Sequence, residues 1–99
     1  MDQDELAARI AQAGDAGWTR LDLSGEELEY LPPEIGNLTG LTRLDLDDNQ
    51  LTALPPELGN LTSLTDLRLW NNQLAKLPPE LKTLLDRGVG NLSGNPLKG

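Results

Sequence analysis

The chain repeats itself every 23 residues, and that period constrains its fold more than any other feature. Leu21, Leu44 and Leu67 fall in register, as do Leu23, Leu46, Leu69 and Leu92, and then Leu28, Leu51, Leu74 and Leu97. A Leu-Pro-Pro-Glu block recurs at Leu31–Glu34, Leu54–Glu57 and Leu77–Glu80. Residues 18–40 match residues 41–63 at 14 of 23 positions, and residues 41–63 match 64–86 at 13 of 23. A unit this short cannot bury its own apolar face and must stack on its neighbours, so the period marks a solenoid.

Composition narrows the function. Leucine supplies 23 of the 99 residues while Trp18, Trp70 and Tyr30 are the only aromatics, so leucine carries the core. Without Cys or His there is no thiol nucleophile, no disulfide, no zinc site of the usual kind and no imidazole base. No cofactor or metal is expected. A net charge of -8 argues against nucleic acid or an anionic membrane as partner and favours a basic group. No apolar run approaches the roughly 18 residues of a membrane span, and the acidic start at Met1–Glu5 is unlike a basic leader. The expected location is the cytoplasm.

Within the unit Leu41–Leu51, Leu44 and Leu46 at a spacing of two share one face of a short strand, leaving Arg43, Asp45 and Asp47 on the other. Leu51, Leu54, Leu58 and Leu61 turn inward from the return path. There Pro55-Pro56 imposes an extended corner, and Pro56-Glu57-Leu58-Gly59 reads as a helical first turn that ends early. Parallel strands on one side and bulkier return segments on the other predict an array curved with its strands on the concave face.

Residues 41–61 and 64–84 resemble the leucine-rich repeat, L-x-x-L-x-L-x-x-N-x-L, in its 23-residue intracellular subtype with L-P-x-E-[IL]-G-x-L. The resemblance covers residues 18–97. It implies an α/β solenoid: a right-handed superhelix with short parallel strands on the concave face, extended or short-helical return segments and an N-terminal capping helix. It also implies that Asn49, Asn72 and Asn95 form a ladder closing the turn after each strand. Glu26 and Glu27 stand where Asn49-Gln50 and Asn72-Gln73 stand later, so the first turn is expected to close differently and more loosely.

Three segments follow: a capping helix over 1–17, three repeats over 18–86 and a half repeat over 87–99. Asp2-x-x-Glu5 reads as a capping box, Leu6 and Ile10 as the buried stripe, Gly14 as the helix stop and Trp18 as a plug between helix and first repeat. Residues 80–88 predict a longer closing helix stopped by Gly88. Gly90 and Pro96 make the last strand a poor pairing edge. Caps at both ends suit a complete small solenoid.

Enzyme motifs are missing. No phosphate-binding loop or nucleophile elbow occurs, and open carboxylates lack the surroundings that make a general acid. Asp45-x-Asp47-x-Asn49 fails as a calcium loop at Gln50 and Pro56. The acceptor triplets at Asn37, Asn60 and Asn91 are by-products of the repeat.

The outward strand positions form three columns: Arg20, Arg43, Asp66; Asp22, Asp45, Arg68; and Ser24, Asp47, Trp70. With strands about 4.8 Å apart these columns touch sideways, and most of their charges read as a self-neutralising lattice. Trp70 gains nothing from the core there, and Trp and Arg are the residues most enriched in binding hot spots; the rival reading is that it lies flat over Arg68 or packs on the C-terminal half repeat. The candidate docking set is Trp70, Arg68, Asp47, Asp45, Arg43, Asp66, Asp48 and Asn71, with the aspartates selecting a basic group. The expected function is a non-enzymatic module binding a protein or peptide segment on its concave face, as a monomer. The alternatives are the recognition segment of a multidomain signalling enzyme, an idealised scaffold without a partner, and a dimer.

Overall fold

The computed structural model describes residues 1–97; the last two residues of the expected half repeat lie outside the described residues. Helix α1 (Gln3–Ala16) is followed by four short strands, β1 (Arg20–Asp22), β2 (Arg43–Asp45), β3 (Asp66–Arg68) and β4 (Gly90–Asn91), with helix α2 (Lys82–Asp86) before β4. Between strands the chain returns through 3-10 turns at Pro33–Asn37, Pro56–Asn60 and Pro79–Leu81. The strands form one parallel sheet in the order β1-β2-β3-β4. Arg20 pairs with Arg43 and Arg43 with Asp66, so the register is the sequence period itself. The architecture is a leucine solenoid with an N-terminal helix.

Leu21, Leu44 and Leu67 stack across the sheet with 1% or less of their surface exposed, and Leu46, Leu51, Leu58 and Leu61 are fully buried. The first proline of each pair is extended (Pro55 φ -71°, ψ 144°) and the second opens the 3-10 turn, where its missing N–H costs nothing. Neighbouring return limbs pack so closely that a Cβ on Gly59 would lie 2.5 Å from the Glu80 carbonyl oxygen, and one on Gly36 would lie 2.7 Å from that of Glu57. Glycine is required at those two positions. In the third limb, where no further limb stacks, the same position is Lys82 and the chain continues into α2.

Asn49 and Asn72 are buried and bridge successive repeats. The Asn72 Nδ2 donates to the Leu69 carbonyl of its own repeat (3.1 Å) and to the Leu46 carbonyl of the previous one (2.9 Å). Its Oδ1 accepts the Leu51 amide at 3.1 Å. Asn49 does the same for the first repeat, accepting the Glu26 and Leu28 amides at 3.0 Å each and donating to the Leu23 carbonyl at 2.9 Å. The asparagine of one repeat thus closes the turn of the repeat before it. The first turn therefore holds no asparagine of its own, and it differs from the others in placing Glu27 in the left-handed region at φ 58°.

The ends depart from the sequence reading in two places. Gly14 lies inside α1, where its lack of a side chain admits Leu38; Gly17, at φ 65°, ends the helix, and the Trp18 amide donates back to the Ala13 carbonyl at 3.0 Å. Trp18 is not a plug. It is 37% exposed because β1 has no repeat before it and α1, through Leu6, Ile10 and Ala13, packs on the first return limb instead. At the other end the two-residue β4 pairs with β3 on its inner side, Leu67 against Gly90. Leu85 of α2 fills the space of the missing strand leucine, since a Cβ on Gly90 would lie 2.8 Å from its Cδ2.

Asn72→Ala is expected to strip partners from three backbone groups beside the core and to cost about 3 kcal/mol or more in denaturant unfolding. Asn95→Ala, at the half-buried last rung where water can substitute, is expected to cost clearly less. Equal losses at both positions would contradict the burial of the ladder.

Candidate functional site

The outer face of the sheet is set by strand alternation: with Leu21, Leu44 and Leu67 inward, their neighbours in β1–β3 stand outward. On this face Arg43 Nε donates to both carboxylate oxygens of Asp45 at 3.1 and 3.3 Å. Arg68 Nε donates to Asp66 Oδ2 at 3.3 Å and lies 3.6 Å from Asp45 Oδ1, while Arg43 Nε lies 3.7 Å from Asp66 Oδ2. Arg20, outside the sequence-derived set, adds a contact to Asp45 at 4.0 Å. Arg43, Asp45, Arg68 and Asp66 form a closed square of alternating charge across two strands.

That lattice corrects one assignment. Asp45, expected on the exposed face, is only 5% exposed beneath three arginines and is unavailable to a basic ligand. Its role is to hold the guanidinium groups in place. At the edge of the face, the Ser24 hydroxyl and amide donate to Asp22 Oδ1 at 2.6 and 3.0 Å and draw the Asp22 carboxyl below its ordinary range.

The turn after each strand carries the remaining candidates. Asp48 and Asn71 hold the same position in successive repeats and both adopt left-handed backbone, φ 58° and 61°. Asp and Asn tolerate that region better than other side-chain-bearing residues, so backbone geometry accounts for these residue types. Their side chains pair, Asn71 Nδ2 donating to Asp48 Oδ1 at 2.8 Å. Asp47 Oδ1 accepts the Trp70 amide at 2.8 Å. Burial, with a push from the nearby Asp45 and Asp48 charges, raises the Asp47 carboxyl above its ordinary value against the opposing pull of the Trp70 amide and Arg68.

Trp70 remains 49% exposed. One edge of its indole packs over the turn at Gly94, where an added Cβ would lie 3.3 Å from Trp70 Cδ1. Of the two packing readings the sequence left open for Trp70, this contact fits the C-terminal half repeat, with Gly94 one period beyond Asn71 in the same left-handed conformation, φ 77°. Trp70, Asp47, Asp48 and Asn71 thus form one group at the ends of β2 and β3, and Arg43, Arg68, Asp45 and Asp66 another on the strands themselves.

Residues 39–83 match the family model for leucine-rich repeats, in two copies. That stretch is similar to leucine-rich repeats. A leucine-rich repeat protein of Leptospira interrogans is similar among solved structures, with 26% identity and a TM-score of 0.44 over 88% of this chain and 34% of that one. The chain spans about a third of the length of that structure. No curated protein matches the chain. Leucine-rich repeat domains generally serve as interaction modules. Among the described residues no helix is long and apolar enough to cross a membrane.

A raised carboxyl binds its proton more tightly in the folded chain than in the unfolded one, so ionising Asp47 costs stability as pH rises through its folded value. Asp47→Asn keeps an oxygen for the Trp70 amide and removes that cost. At pH 7 it is expected to unfold at the same or higher denaturant concentration than the parent, with the difference vanishing near about pH 3, where both states carry the proton. A lower midpoint at pH 7 would show that the charge stabilises the fold.

Proposed function

We propose that the protein is a non-enzymatic interaction module that docks an extended protein or peptide segment across its outer sheet face, the face the repeat family curves inward. The observation that carries this reading is Trp70, a large apolar side chain left half exposed on a polar strand face although Gly94 gives it a fixed seat. A rigid indole costs little conformational entropy to bury, and a partner's apolar group against it excludes water from the charges alongside. Asp47 and Asp48 stand beside it, and the Asp47 carboxylate, disfavoured by burial, gains from a cation brought against it. The partner segment carries a Lys or Arg there. The chain's net charge of -8 steers such a partner toward this surface and makes its binding weaken as salt rises. The module works as a monomer in the cytoplasm, with no cofactor and no part for nucleic acid or membrane.

Panning a fully randomised peptide display library against the immobilised protein tests the reading. Enriched peptides are expected to carry a basic residue and to bind Trp70→Ala at least about 30-fold more weakly, the size of a hot-spot loss, with the circular dichroism spectrum unchanged. Enrichment indifferent to Trp70→Ala would overturn it.

A further inference from the structure

Arg43 and Arg68 meet their aspartates side-on. Each uses only Nε in its hydrogen bonds, to Asp45 and Asp66 respectively, and the Nη groups of both make no hydrogen bond among the described residues. A guanidinium has five N–H donors, so each arginine keeps four unused. The two groups sit on adjacent strands and bracket the same two carboxylates, with their side chains 31% and 43% exposed. Because the lattice already fixes both side chains, a ligand meeting them would lose little of the rotamer entropy that free surface arginines forfeit on binding.

We propose that Arg43 and Arg68 form a carboxylate-binding pair, and that the segment docked on this face seats an Asp or Glu side chain on their free Nη groups. The fork of N–H donors matches a carboxylate in two-point geometry, which a lysine could not offer. A single negative charge suits the position: Asp45 lies beneath the arginines, Asp66 beside them and Asp47 and Asp48 beyond, so a dianionic phosphoryl group meets more repulsion than a carboxylate. This inference rests on the docking reading above and adds an acidic group to the basic one. Position 43 opens β2 and position 47 lies two residues past its end, about 13 Å on if the chain stays extended. The face is therefore dipolar, with guanidinium groups at one end and the Asp47–Asp48 carboxylates at the other. Its ligand is a dipolar extended segment with Asp or Glu three to five positions from Lys or Arg, running past Trp70.

Peptides selected on the intact protein decide this. Those that depend on Trp70 are expected to share an Asp or Glu at that spacing from a basic residue. Changing that residue to Asn or Gln in a synthetic peptide is expected to weaken binding about tenfold. Arg43→Lys and Arg68→Lys keep a cation beside Asp45 and Asp66 but remove the fork. Each is expected to weaken the acidic peptide about tenfold and the Asn or Gln peptide hardly at all, with unfolding midpoints unchanged. The peptide substitution leaves the protein untouched, so the comparison survives if a variant folds poorly. Trp70-dependent peptides without a shared acidic residue, or equal losses for both peptides, would overturn the carboxylate pair while leaving the docking reading intact. If no peptide depends on Trp70, both fall.

Discussion

The structure depends on the asparagine that follows each strand after the first, buried at Asn49 and Asn72. A parallel stack sends the chain out of every strand through a turn whose amides and carbonyls point toward the core, beyond the reach of water. Closing such a turn takes a donor pair and an acceptor on one short side chain, which only a primary amide supplies; aspartate lacks the donors and leucine lacks both. In Asn72 the Nδ2 serves Leu46 and Leu69 while Oδ1 serves Leu51, so three segments drawn from two repeats meet on one residue. No buried side-chain nitrogen or oxygen is left without a partner among the described residues. Neither repeat is complete without the other.

The same ladder positions the candidate site. Asn49 Nδ2 also reaches the Asp47 carbonyl at 3.2 Å, and Asn72 Nδ2 reaches the Trp70 carbonyl at 3.4 Å. Asp47 and Trp70 are therefore tied at their backbones to the ladder, and the left-handed turns at Asp48 and Asn71 sit between one anchored carbonyl and the next asparagine. A surface held this way is preorganised, so a partner gains contacts without ordering the module. The charge square plays the same part for the strand residues, where the buried Asp45 serves to fix arginines rather than to meet a ligand.

Most of the fold was legible because it is periodic. Leucines at a spacing of two gave the strand face, the proline pairs gave the corner, and the recurring asparagine marked the turn. The adjacency of Arg43, Asp45, Arg68 and Asp66 also followed from register alone. What escaped is whatever depends on having, or lacking, a neighbour in the stack. Trp18 aligns with buried Leu41 and Leu64 but stays exposed because it leads into β1, the edge strand of the sheet. Gly36 and Gly59 are demanded by the limb that stacks on them, whereas Lys82 at the same position opens α2. Asp45 looked like an exposed acid because alternation fixes direction and not depth; three arginines from three strands cover it. The left-handed backbone at Asp48 and Asn71, which itself favours these residue types, was not legible either.

The coupling of repeats through the ladder is tested most directly by native-state hydrogen exchange at the Leu28 and Leu51 amides. These donate to Asn49 and Asn72 Oδ1 at 3.0 and 3.1 Å, in different repeats. If each asparagine locks its repeat to the one before, neither amide opens alone, and both exchange with the free energy of global unfolding measured in denaturant. Exchange of the two amides at separate free energies well below the global value would mean that the repeats open independently, and that the asparagines decorate the stack rather than join it.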